Sequence, residues 1–220
     1  MGEDVLWRVD WLARALRVRI ASVSQRDGRL RLIIDLGGVI VDHNNAMSFD
    51  RLIELLEARP TRGELAALIA ASGVGDGSLT AQGLFDRLRD RYGSTASQEK
   101  FLDAWTCHFT LKPDVYRLLD AIKAARPFVI CSNTNAAHWD FLNRLYRLDR
   151  LAAKAILSHE CGCEKPKPAI YRLAAAAHGC EPSECLFVDD LAVNVDAAKK
   201  LGFHTHQFMG YDAFRRIIAT

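Results

Sequence analysis

The sequence predicts a doubly wound α/β fold, a Rossmann-like parallel sheet with helices on both faces and a small helical cap inserted after the first strand. Three observations carry this expectation. Short continuous apolar runs end in polar clusters at Asp35, at Ser132 to Asn135 and at Asp189-Asp190, and a fourth cluster, Lys165 to Pro168, follows a glycine-containing loop. These runs alternate with stretches of helical periodicity, the pattern of parallel strands covered on both faces. About 85 residues separate the first two clusters, and they read as helices rather than strands.

Strands are expected near residues 30 to 35, 127 to 131, 154 to 158, 185 to 189 and 204 to 208. Between the first two, Ser48 is placed to cap a helix bearing Phe49, Leu52, Ile53 and Leu56. Thr61 to Glu64 reads as a capping box before Leu65, Leu68 and Ile69, and the glycines at 73 to 77 break the run. Leu84, Phe85 and Leu88 mark the next helix. Pro113 opens another, with Val115, Leu118, Leu119 and Ile122, which returns the chain to the core. After Asp190, residues 191 to 200 form a helix with late lysines and a glycine stop at Gly202.

In an open parallel sheet, ligands bind beyond the carboxyl ends of the strands, so the four polar clusters converge there. Their chemistry is coherent. Asp35, closing the run Arg31 to Ile34 and opening the glycine turn Gly37-Gly38, is a candidate nucleophile. Hydroxyl and amide donors, an ammonium and a second carboxylate pair suit an anionic phosphate beside a hard divalent cation. Mg²⁺ takes carboxylates, a carbonyl and waters, a set that Asp35, the Gly37 carbonyl and Asp190 supply, with Asp189 acting through a bound water.

Each element of this reading has a plainer counterpart. Asp35 alone is a residue type that ends strands in turns. Ser132, Asn133 and Thr134 suit a helix cap, a role compatible with phosphate binding because the same amides serve both. One carboxylate of Asp189-Asp190 can simply favour the following helix dipole, and Asn194 either bonds the site or faces solvent.

The segments Asp35 to Val39, Ser132 to Asn135, Ser158 to Tyr171 and Phe187 to Asp190, in that order and spacing, resemble the four motifs of the haloacid dehalogenase (HAD) superfamily. Within it the opening Asp-Leu-Gly and the Ser-Asn-Thr-Asn run are similar to the alpha-glucose-1-phosphate phosphatase type of small bacterial sugar-phosphate phosphatases. The resemblance implies a core of residues 30–42 and 126–220, a helical cap at 43–125 that closes over substrate, and an N-terminal extension at 1–29. It implies that Asp35 attacks phosphorus to give an aspartyl-phosphate, that Ser132 and the Asn133 amide hold phosphoryl oxygens, and that Lys165 neutralises developing charge. The Gly-x-x-Lys-Pro spacing from Gly162 selects Lys165 over Lys167.

One departure stands out. Most phosphatases of that superfamily carry a second Asp two residues after the nucleophile as general acid and base, and this chain has Gly37. Such help is worth about 10²- to 10⁴-fold. Asp42, His43 and His138 are candidates to replace it; Asn44, Asn45 and His108 are candidate substrate contacts.

The expected function is Mg²⁺-dependent hydrolysis of a small phosphomonoester, a sugar phosphate among the options. Two rivals are a metal-independent 2-haloacid dehalogenase-type hydrolase, disfavoured by the tandem carboxylates, and a weakly catalytic regulatory or binding protein on the same fold. A formal charge of +2 excludes a nucleic-acid partner as an expectation, and no apolar stretch reaches the roughly 20 residues that cross a bilayer. Six cysteines without Cys-x-x-Cys spacing, and no visible secretory signal, point to free thiols and a cytoplasmic setting. His159, Cys161 and Cys163 do not form a metal site on this reading. The amphipathic, arginine-bearing segment Val5 to Val18 is expected to pack on its own core or to make a homodimer contact.

Overall fold

The computed structural model describes residues 29–218. The Val5 to Val18 segment lies outside the described residues. Strand β1 spans Arg31–Ile34, β2 Val41–His43, β3 Phe109–Leu111, β4 Phe128–Ser132, β5 Lys154–Leu157, β6 Cys185–Asp189 and β7 His204–Gln207. Five of them form a parallel sheet in the order β5-β4-β1-β6-β7, and each coincides with a strand expected from sequence. Ile34 lies opposite Ile130 and Val188, so the polar residues that follow leave neighbouring strands at nearly one level.

The central strands β1, β4 and β6 read as apolar runs because both faces are covered. Leu32, Ile34, Phe128, Ile130, Leu186 and Val188 face one core, built with helices α5 (Pro113–Ile122), α6 (Ala136–Tyr146), α7 (Leu148–Leu151) and α11 (Tyr211–Ile218). Ile33, Val129, Cys131 and Phe187 face the other, beneath α9 (Pro168–His178) and α10 (Ala192–Lys200). This is the doubly wound arrangement.

Four helices between β2 and β3 form a third apolar cluster of their own: α1 (Asn45–Glu54), α2 (Arg62–Ala70), α3 (Ala81–Tyr92) and α4 (Gln98–Thr106). Phe85, Phe101 and Trp105 stack in series at its centre, with ring centroids 5.0 and 6.3 Å apart. This is the cap. Three details differ from the sequence expectation. The insert is not purely helical, because β2 and β3 pair antiparallel as a ribbon at its base, with His43 opposite Phe109. Helix α5, inside the 43–125 stretch assigned to the cap, packs with the sheet through Val115 and Leu119. Ser48 is not the cap of α1: Asn44 is, accepting from the Met47 amide, while the buried Ser48 hydroxyl donates to the Ala104 carbonyl at 2.9 Å and ties α1 to α4. The Thr61–Glu64 capping box is formed as expected.

Among the described residues, no helix is long and apolar enough to cross a membrane. All six cysteines are free thiols.

Candidate active site

Asp35 emerges from β1, and its amide still bonds the Val188 carbonyl at 2.9 Å, which holds the residue in the sheet frame. The chain then turns sharply through Gly37 and Gly38. Gly38 has φ +72°, and a Cβ there would lie 2.2 Å from an Asp190 carboxylate oxygen, so only glycine lets the two strand ends approach. Asp190 follows β6 directly.

Lys165 lies at the heart of the site, 5 % exposed, with its Nζ 2.8 Å from Asp35 Oδ1 and 2.6 Å from Asp189 Oδ2. Burial pushes the ammonium toward neutrality, but the Asp35 and Asp189 carboxylates reverse this and raise it above its ordinary range. Burial raises the Asp35 carboxyl to about 7, against the lowering effect of Lys165. Asp190, half-buried, is raised by burial and then by the Asp189 charge.

Asp189, fully buried, spends both oxygens on protein donors. Oδ1 accepts from the Leu191 amide at 2.9 Å and from Asn194 Nδ2 at 3.0 Å, and Oδ2 accepts from Lys165 and again from Asn194. Asn194 therefore turns inward to the site. Asp35, Asp189 and Asp190 each offer an oxygen within 4.8 Å of the other two. With one ammonium against three carboxylates, two negative charges remain uncompensated, which fits a divalent cation. Asp35 and Asp190 retain oxygens free to ligate it, and Asp189 does not, in keeping with a contact through water.

The second and third motifs are locked together. Asn133 Nδ2 donates to the Lys165 carbonyl at 2.8 Å, and the Lys165 amide donates to Asn133 Oδ1 at 2.7 Å. The Asn133 side chain is thus a clamp, a role the sequence reading missed; its own amide stays at the loop beyond β4. Ser132, 3 % exposed, ends β4 beside Asp35. Asn135 rather than Ser132 or Thr134 caps α6, accepting from the His138 amide. Ser158 was also missed. It accepts from the Thr134 amide at 2.9 Å and lies 2.6 Å from the Gly75 carbonyl, joining the cap loop to two site loops.

Other candidates separate cleanly. His138 has both ring nitrogens engaged, by the Trp105 carbonyl and the Asn135 amide group, each at 3.0 Å. Asp42 pairs with Lys112. His43 has its Nδ1 3.5 Å from where a Cβ on Gly37 would be. The Asn44 amide is used by the His108 carbonyl, joining the start of the cap to the ribbon. Cys161 and Cys163 approach to 3.2 Å between sulfurs, and His159 Nδ1 lies 3.2 Å from the Thr134 carbonyl.

The fold and this cluster define a hydrolase, and the chain belongs to the haloacid dehalogenase-like hydrolase family, whose profile matches residues 31–202. Among characterised relatives it is 30% identical over 187 residues to a D-ribitol-5-phosphate phosphatase of Bacteroides thetaiotaomicron, covering 80% of this chain and 90% of the relative. A HAD family enzyme from the same organism, crystallised with magnesium and inorganic phosphate, matches at TM-score 0.74 and 25% identity over 81% of this chain and 93% of its own. A HAD-like hydrolase of Porphyromonas gingivalis matches at TM-score 0.76 and 22% identity, covering 87% and 98%; that match concerns the fold.

Proposed function

We propose that this protein is a Mg²⁺-dependent phosphomonoesterase that releases phosphate from a small phosphorylated metabolite, a sugar or polyol phosphate, through an aspartyl-phosphate on Asp35. The observation that carries the reading is the buried cluster itself: three carboxylates around one ammonium, with Asp35 and Asp190 each keeping a free oxygen. The phosphatase relative on a polyol phosphate and the magnesium- and phosphate-bound neighbour support it.

Asp35 Oδ2, which makes no bond to Lys165 or to the Leu36 amide, is the attacking oxygen. As it bonds to phosphorus, the ester oxygen departs with its electron pair and takes up a proton; water then attacks the same phosphorus and returns the carboxylate. Lys165 opposes the effect of burial on the Asp35 carboxylate and presents positive charge where the phosphoryl group gathers negative charge. Ser132 and the Asn133 amide hold phosphoryl oxygens, and the clamp between Asn133 and the Lys165 backbone keeps both binding loops in one register. Asp35, Asp190, the Gly37 carbonyl and, through water, Asp189 would hold Mg²⁺, which when bound screens the phosphoryl oxygens from the carboxylates. The cap, latched through Ser158 and Gly75, excludes bulk water during the reaction.

The test is phosphate release across a panel of sugar and polyol phosphates with Mg²⁺ and with EDTA. Turnover should require Mg²⁺ and fall by on the order of 10³-fold or more in Asp35→Asn. Metal-independent halide release from a 2-haloacid, with no phosphate release, would replace this reading.

A further inference from the structure

Two residues flank the turn after Asp35, one on each glycine. Asp190 occupies the space beside Gly38, and the His43 ring occupies the space beside Gly37, its Nδ1 at 3.5 Å and Cε1 at 3.6 Å from the position of a Cβ. That Cβ is where the second carboxylate expected of this superfamily would begin. Gly37 is therefore not an empty substitution, since an imidazole from β2 lies in van der Waals contact with the point where the missing side chain would start. The ring is solvent-accessible, and among the described residues no side-chain hydrogen bond or ion pair holds it. His43 pairs with Phe109, whose ring packs against His108 and His138 at centroid distances of 4.0 and 4.9 Å, so it sits at the base of the cap. The alternatives are committed elsewhere: Asp42 to Lys112, and both His138 nitrogens to Trp105 and Asn135.

We propose that His43 is the catalytic acid and base that replaces the second carboxylate, an assignment that rests on the phosphatase reading. In the first half-reaction the Asp35 oxygen bonds to phosphorus while the bond from phosphorus to the ester oxygen breaks. The ester oxygen keeps the electron pair and takes the proton from the imidazolium of His43, leaving as an alcohol and leaving the ring neutral. In the second half-reaction a water oxygen bonds to phosphorus, the bond from phosphorus to Asp35 breaks with its pair returning to the carboxylate, and the water proton passes to His43. One ester and one water give one alcohol and one phosphate, with both protein groups restored. The two-residue ribbon pairing of His43 with Phe109 at the foot of the cap gives this proton carrier a fixed backbone, and cap closure brings the alcohol portion of the substrate over it.

The experiment compares wild type, His43→Ala, His43→Gln and Asp35→Asn with Mg²⁺ on two esters: p-nitrophenyl phosphate, whose leaving group departs without a proton, and ribitol 5-phosphate, whose leaving group needs one. Both His43 variants should lose about 10²-fold or more in kcat/KM on the alkyl ester and less than about tenfold on the aryl ester. With the aryl ester they should also release a burst of p-nitrophenol equal to the enzyme concentration, because the aspartyl-phosphate forms and then waits for its water. Their Mg²⁺-induced rise in Tm should match that of wild type, which shows an intact site. The double variant His43→Ala, Gly37→Asp should recover the alkyl ester at least tenfold, since the added side chain enters vacated space at a backbone position without positive φ. Equal losses on the two esters, or no recovery in the double variant, overturn the assignment of His43 alone. A wild-type protein inactive on both esters overturns the phosphatase reading with it.

Discussion

Asn194 shows how a residue outside any reacting group sets the chemistry. Its amide nitrogen reaches both oxygens of Asp189, while the Tyr171 hydroxyl donates to the Asn194 backbone carbonyl at 3.1 Å, so the side chain is aimed by the helix and by the neighbouring core. Asn194→Ala leaves Asp189 with Lys165 and the Leu191 amide, and the carboxylate loses its fixed orientation. The Mg²⁺ concentration for half-maximal activity should rise about 10- to 100-fold, as for other outer partners of metal sites; a metal titration followed by Tm checks it. Asp190 works the other way. Burial and the Asp189 charge disfavour its ionised form in the folded protein, and among the described residues no ion pair holds it. In EDTA at pH 7, Asp190→Asn should therefore raise Tm, while abolishing the increase that saturating Mg²⁺ gives to wild type. For the wild type that increase corresponds to about 2.7 kcal/mol at 100 times the dissociation constant.

The loop from Gly73 to Ser78 is one of the places where the cap is tied to the core. Ser158, fully buried, bridges Gly75 of this loop to Thr134 of the second motif. Ser158→Ala strands the half-buried Thr134 amide and Gly75 carbonyl, at a cost of up to about 1–3 kcal/mol for each group that water does not reach. The expected result is a lower Tm together with faster amide hydrogen exchange confined to residues 73–78 and 134. Unchanged exchange there would show that the cap does not depend on this bridge. The same elements mark where reading a sequence stops. Helix α2 was legible from its Thr61–Glu64 capping box and the spacing of Leu65, Leu68 and Ile69, and α3 from the helical spacing of Leu84, Phe85 and Leu88. Strands β2 and β3 were not, since three residues hold too short a period to recognise, and only the pairing of Val41 with Leu111 reveals them. Ser48 was misplaced for a related reason: Asn44 and Ser48 are both capping residue types, and the choice fell to the one whose backbone leaves the ribbon.

The seam between cap and core also governs how the entire chain responds to acid. Burial lowers His108 to about 4 and, with the His108 charge adding to burial, lowers His138 to about 3. Both lie below the ordinary 6.5 of the unfolded chain. Between those limits the unfolded chain binds the extra protons, so stability rises with pH and is lost as pH falls below about 6.5. Each ring contributes a slope of about 1.4 kcal/mol per pH unit in that window. Denaturant midpoints measured from pH 7 to pH 4.5 should fall steeply for wild type and less steeply for His138→Gln. Parallel curves would show that these rings do not control acid stability.

The amino-acid order alone determined the centre of the parallel sheet, because β1, β4 and β6 are apolar runs buried on two faces, and it marked the candidate site, because Asp35, Ser132 and Asp189-Asp190 stand at the ends of those strands. The order could not say what lies beside Gly37, how Asp189 spends its oxygens, or that the Asn133 side chain bonds the backbone of Lys165 across 32 positions. Those facts belong to pairs that are far apart along the chain and carry no local period. They exist only once the sheet has brought β1, β4 and β6 side by side and the ribbon has laid His43 over the first glycine.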